Sequence, residues 1–438
     1  MLDAIGVAQL DDLVASVPAE LRARAQLRLE AGRSEAEVAA EASALAELNR
    51  GARGFASFLG GGFYRHYVPA GVSAVLSRAE FATAYTPYQP EASQGTTQAI
   101  FEFQTLIALL TGLDLANASM YDGASAVAEA VLMARRVTGK RRLVALARSL
   151  WPDYRETVQT YLSAFGDLET VEIPYDDTTG LLRLDRLESL PGKELLCAVA
   201  GYPNGFGTIE PLGKIAEIVH RHDALLVSAT AEALALALLK PPGELGADIA
   251  VGEGQSFGLG LNFGGPGLGF MACRSEHVRQ MPGRLVGQTR DRQGRQAFCL
   301  TLAAREQHIR RERATSNICT NHSLCALAAT VYLSLLGKHG LRELAERNVQ
   351  LAHQAATRLE QRGVRRRFSG PFFNEFALAL DDPAGRQTIA ERAGLLFGPA
   401  LGESYPELAQ SALISVTETN DSQQIERLCA ALATREAP

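Results

Sequence analysis

Apolar positions change rhythm along the chain. Between residues 7 and 50 they recur at helix spacing, as in Leu10, Leu13, Val14 and Val17 ahead of Pro18. That pattern predicts an Ala/Glu/Arg-rich helical arm. Within it Ser34 stands three residues before Glu37, the pairing of a capping box, so a helix is predicted over 34–49. Between 51 and 98 the periodicity lapses into turn formers and aromatics, Gly60-Gly61-Gly62 and Thr86-Pro87-Tyr88-Gln89-Pro90. From 99 onward, short uniformly apolar runs alternate with helical stretches. Strands are predicted at 142–147, 170–174, 195–200, 224–229, 248–251 and 268–272. Helices are predicted at 101–110, 123–136, 153–164 and 212–220. Such strands need both faces covered, which indicates an α/β protein with a mostly parallel central sheet. Helical patterns at 321–336 and 341–362 follow. Strands near 375–380 and 413–416, with helices near 387 and 424, predict a smaller C-terminal α+β domain. The expected organisation is an arm over 1–55, a large domain over 56–320 and a small domain over 321–438.

Composition narrows the function classes. The chain has 438 residues, 47% apolar and 21% charged, with a net charge of −6 and no basic tract. A concentrated positive face is the usual mark of a nucleic-acid binder, so no nucleic-acid partner is expected. Six cysteines without a Cys-x-x-Cys pair fit thiols in a reducing compartment. No stretch resembles a membrane span of roughly 18 uncharged apolar residues. Asp11 and Asp12 stand where a secretory or transit signal would be basic or acid-poor, so a cytoplasmic location is expected. Lysine occurs only five times, at positions 140, 193, 214, 240 and 338.

Familiar chemical motifs fail on spacing. Gly207 and Gly213-Lys214 are one residue too far apart for a phosphate loop, and Ile215 replaces its Ser or Thr. The glycines from Gly258 to Gly269 miss the dinucleotide pattern because position 263 is Phe. The eight histidines are scattered, and no metal site is expected. Asp122-Gly123-Ala124-Ser125 opens a predicted helix whose first amides can hold an anion, or is a plain helix start.

Several strings are specific. They are Phe58-Leu59-Gly60-Gly61-Gly62, the thirteen residues Thr83-Ala84-Tyr85-Thr86-Pro87-Tyr88-Gln89-Pro90-Glu91-Ala92-Ser93-Gln94-Gly95, and Thr111-Gly112-Leu113-Asp114-Leu115-Ala116-Asn117-Ala118-Ser119. Lys240-Pro241-Pro242-Gly243-Glu244, Asn262-Phe263-Gly264-Gly265-Pro266-Gly267 and Arg313-Ala314-Thr315-Ser316-Asn317-Ile318-Cys319-Thr320 complete the set. In these strings the chain resembles the glycine cleavage system P-protein family, glycine dehydrogenase (decarboxylating). The resemblance runs from about residue 50 to the C-terminus. The length matches the N-terminal-half-like subunit 1 of the family's split form. It implies the aminotransferase-like, pyridoxal-phosphate (PLP) fold type I.

The same resemblance implies a division of labour. A PLP enzyme needs a lysine amine to hold the aldehyde and an anion near the pyridine nitrogen. The position matching the family's lysine is Gln255, and the strand matching the aspartate position ends in Ser228-Ala229-Thr230. No covalent PLP is therefore expected on this chain; the PLP is expected on subunit 2, with which this chain is expected to form an α2β2 heterotetramer. The implied reaction decarboxylates glycine and passes the aminomethyl group to the lipoyl group of H-protein. Tyr85, Thr86, Tyr88, Glu91 and Gln94 are expected to support the companion's site across the interface, or only to seal it. Asp122, Gly123 and Ser125 are expected to be a relic phosphate cup, with Arg310 and Arg313 as anion contacts. A purely structural scaffold and a stand-alone PLP enzyme using another lysine are the alternatives.

Overall fold

The computed structural model describes residues 1–25, 29–49, 54–83 and 85–433. Parts of the expected arm (26–28 and 50–53) and Ala84 of the thirteen-residue string lie outside them. The chain forms two units, Met1–Gly54 and Phe55–Pro438. Among the described residues, the first holds three short helices and the longer Glu35–Glu47. There the Ser34 N–H donates to Glu37 Oε2 at 2.8 Å and the Glu37 N–H to Ser34 Oγ at 3.4 Å, the capping box expected from the sequence.

The second unit is built on strands β1 (Ala56–Leu59), β2 (Leu115–Ala116), β3 (Leu143–Ala147), β4 (Glu169–Ile173), β5 (Leu195–Gly201), β6 (Leu225–Thr230), β7 (Ile249–Glu253) and β8 (Gly269–Cys273). Seven form one sheet in the order β2-β8-β7-β6-β5-β3-β4. From β7 to β4 every neighbouring pair is parallel, and β8 alone runs against the rest. Strand alternation divides the core. Val144, Leu146 and Val199 face the helices Gly123–Thr138 and Pro152–Leu162, while Ala145, Ala198 and Ala200 face Gln94–Thr111, Leu212–Arg221 and Ser323–Gln361. Helices thus cover both faces, as the uniformly apolar strands require.

A hairpin of β9 (Leu285–Arg290) and β10 (Gln296–Thr301) was not expected. Three later strands are β11 (Glu375–Ala379), β12 (Leu395–Gly398) and β13 (Ser411–Ser415). β11 pairs antiparallel with β13, and β12 pairs parallel with β1. Strand β1, whose residues fall at the start of the expected large domain, thus lends Phe58 to the C-terminal core around Phe376, Leu395 and Ile414. The two helices expected over 321–362 form one run, Ser323–Gln361, broken by Gly337 at φ +59°. By length and composition this run could cross a membrane, contrary to the expectation that no stretch comes near. Ala326, Ala328, Ala329, Tyr332 and Leu333 nevertheless pack it into the main core.

Candidate functional site

The parallel strands end on one side of the sheet, the usual place for a ligand in α/β folds. Strand β7 ends there at Glu253, and the chain turns so that Gln255 is buried against the backbone of Tyr64. Gln255 Oε1 accepts from the Tyr64 N–H at 2.9 Å, and its Nε2 donates to the carbonyls of Tyr64 at 3.0 Å and Leu259 at 2.8 Å. The carboxamide thus pairs with Tyr64 as a strand neighbour would. A lysine ammonium has donors only and could not accept from Tyr64. All five lysines are exposed, so none enters this buried region in place of Gln255. On β6, Thr230 Oγ1 donates to the Tyr202 carbonyl at 2.9 Å, and Ser228 Oγ is buried without a partner. Neither is an anion.

The expected phosphate cup is present as a helix start, but it is already filled. Asp122 caps the helix, accepting from the Ser125 N–H at 2.7 Å. The Gly123 N–H donates to Glu253 Oε2 at 3.1 Å. Glu253 Oε1 accepts from the N–H groups of Leu268 at 2.6 Å and Gln255 at 3.1 Å. Burial pushes the Glu253 carboxyl up to about 7, against the pull of those N–H donors and with added repulsion from Asp122. A Cβ on Gly123 would lie 2.0 Å from the Tyr154 hydroxyl, so the phenol packs directly on this glycine. At Asp122, Gly123 and Ser125, expected as a relic phosphate cup, the protein's own carboxylates take the N–H donors of Gly123 and Ser125. With no amine, no free cradle and no anion on β6, the residues present do not fit PLP.

The segment 60–67 is pinned over these strand ends. Glu375 accepts from the Gly61 N–H at 2.7 Å and the Tyr64 hydroxyl at 2.9 Å. Burial pushes Glu375 up to about 7 and Tyr64 well above its ordinary range. His66 is clamped between Glu232 at 3.0 Å and Glu418 at 2.9 Å. Burial alone would lower its pKa, but the two carboxylates raise it to about 10. Burial likewise would raise Glu418, and His66 brings it to about 2. None of these partners was legible in the sequence, since they lie more than 150 residues away along the chain.

A second group of residues faces outward. Arg284, itself buried, donates to Thr86 Oγ1 at 2.9 Å and to the Cys319 carbonyl at 2.8 Å. Its guanidinium also lies 5.0 Å from the centre of the Tyr88 ring. It joins the thirteen-residue string to the 313–320 string. Ser316 of the latter donates to Glu129 Oε1 at 2.7 Å, and His322 Nδ1 lies 2.7 Å from the Gly267 carbonyl. The Ala118 N–H donates to the Arg284 carbonyl at 2.9 Å, so four of the strings gather around one region. Tyr85, Tyr88 and Glu91 are exposed there. Gln94 differs: its amide pairs with the Phe298 N–H at 2.9 Å and carbonyl at 2.8 Å and also donates to Pro90. It holds β10 in place and presents little outward. Arg310 and Arg313 are exposed, the first donating to the Ala304 carbonyl at 3.1 Å. Arg284 had no sequence signal beyond its type.

A family model described as glycine cleavage system P-protein matches residues 1–432. A chain from Geobacillus kaustophilus named "Probable glycine dehydrogenase (decarboxylating) subunit 1" is 51% identical over 429 residues, covering 98% of this chain and 94% of that one. A chain of the same name from Carboxydothermus hydrogenoformans is 48% identical, covering 98% and 95%. Among solved structures, a glycine decarboxylase (P-protein) in inhibitor-bound form superposes with a TM-score of 0.90 at 44% identity, covering 99% of this chain and 96% of that one. A NifS-like protein at 15% identity, TM-score 0.64, over 86% and 98% of the two chains, shares the fold alone.

Proposed function

The chain belongs to the glycine cleavage system P-protein family, and from that premise we propose that it is the subunit whose chemistry depends on a companion chain. Its role is that of the P-protein, in the decarboxylation of glycine. In this reading the PLP sits on a subunit 2 that carries the lysine, and two copies of each chain form an α2β2 complex. The aminomethyl group left by glycine passes to the lipoyl group of H-protein, in the cytoplasm. When bound, PLP supplies the electron sink for loss of carbon dioxide.

This chain's own residues bind and orient. Arg284 holds Thr86 and Tyr88 in one arrangement, and proline on both sides of Tyr88 stiffens the loop. Glu91 and Tyr85 present a carboxylate and a phenol to the companion surface. Arg310 and Arg313 present cationic groups suited to a carboxylate or phosphate. The observation that carries the reading is the Gln255 amide, whose oxygen and both hydrogens are engaged by Tyr64 and Leu259.

Borohydride trapping followed by peptide mapping tests it. With both subunits and PLP present, the pyridoxyl label is expected on the companion alone. A label on one of this chain's five lysines would overturn the assignment.

A further inference from the structure

Backbone N–H groups from three separate places converge on one side chain. Gly123 begins a 16-residue helix, Gln255 lies in the turn after β7, and Leu268 immediately precedes β8. All three donate to Glu253, which is almost fully buried. Converging amides at a helix N-terminus make a preorganised hole for a negative charge. We propose that the Glu253 carboxylate is the resident anion of this hole and holds the chain's own phosphate cup shut, so that the cup reopens only when Glu253 is removed.

The surroundings fit a built-in anion. A Cβ on Gly267 would come within 2.9 Å of Glu253 Oε2, so the glycine leaves the room the carboxylate occupies. Asp122 lies at the same helix start, and two carboxylates there repel an incoming dianion. The Tyr154 hydroxyl packs directly on Gly123, which fixes the helix start in place. Placing an amine at position 255 would therefore not by itself restore a cofactor site, because the phosphate would find its donors taken.

The test uses the full-length chain and inorganic phosphate, with chloride at matched ionic strength as control. Wild-type protein and Glu253→Gln, which keeps the cup filled, are expected to show no phosphate-dependent change in Tm. Glu253→Ala is expected to gain a saturable rise of a few degrees, because a ligand that binds only the folded state stabilises it. If Glu253→Ala does not fold in chloride, phosphate is expected to rescue its folding. A second arm compares Gln255→Lys with Glu253→Ala/Gln255→Lys. Only the double variant is expected to give a borohydride-trapped PLP adduct at position 255. The proposal is overturned if Glu253→Ala responds to phosphate no more than to chloride, or if wild type responds equally. It is also overturned if Gln255→Lys alone traps PLP. Each of these failures would leave the companion-borne cofactor untouched.

Discussion

The strand ends under segment 60–67 and the loop over 85–91 lie in the same unit but treat their polar groups in opposite ways. In and beneath the segment, His66, Gln255, Glu253 and Glu375 are buried and bound within the chain. In the loop, Tyr85, Tyr88 and Glu91 are exposed around the buried anchor Arg284. In a self-sufficient enzyme of this fold the interior would keep unfilled donors for its ligand, and the surface loop would be incidental. Here the interior has closed on itself while the exposed loop keeps groups to give. That inversion is what a subunit that completes another chain's site should show.

The sharpest way to break the interior is Gln255→Leu. It leaves the Tyr64 N–H and two carbonyls without partners in a dry setting, so a loss of about 3–5 kcal/mol in urea unfolding is expected. A loss under 1 kcal/mol would mean that the clamp does not hold the segment. Next comes His66→Gln, which leaves Glu232 and Glu418 without their shared cation and is expected to cost about 3 kcal/mol near pH 7. The pH dependence has a definite sign. The folded pKa of His66 is raised to about 10 from 6.5. Its contribution is complete below 6.5 and lost as pH rises through 10. The variant should therefore lack that alkaline decline.

Glu375 gives a smaller effect in a different window. Its folded pKa is raised from 4.5 to about 7 by burial. The folded state therefore holds its proton more tightly, and stability is lost as pH climbs from 4.5 through 7. Glu375→Gln should flatten that part of the stability curve; an unchanged slope would assign it elsewhere. The smallest stability effects belong to the loop. Tyr88→Phe and Glu91→Gln should shift unfolding by no more than ~0.5 kcal/mol, as exposed substitutions do. In the assembled complex, turnover should nonetheless fall by roughly tenfold if these groups position the companion's reacting centre. Unchanged turnover would leave the loop only a sealing role.

Much of the scaffold was legible because burial on both faces writes itself as unbroken apolar runs. Leu195–Gly201 and Ile249–Glu253 lie within a few residues of their expected bounds. The β9–β10 hairpin was missed since its outer half, Gln288 to Gln296, is polar and charged and carries no apolar alternation. Two-residue β2 is too short for any pattern, and β1 depends on β12, more than 300 residues away. The position of Gln255 followed from family resemblance, yet its bonds to Tyr64 could not. A sequence displays residue types but not which distant backbone a carboxamide meets. The same limit concealed Glu253 in the cup and Arg284 under the loop.

The most direct test of the central claim is carbon dioxide release from carboxyl-labelled glycine, with PLP and lipoylated H-protein supplied throughout. Release is predicted only when this chain and its lysine-bearing companion are combined. Release by this chain purified alone would contradict the account.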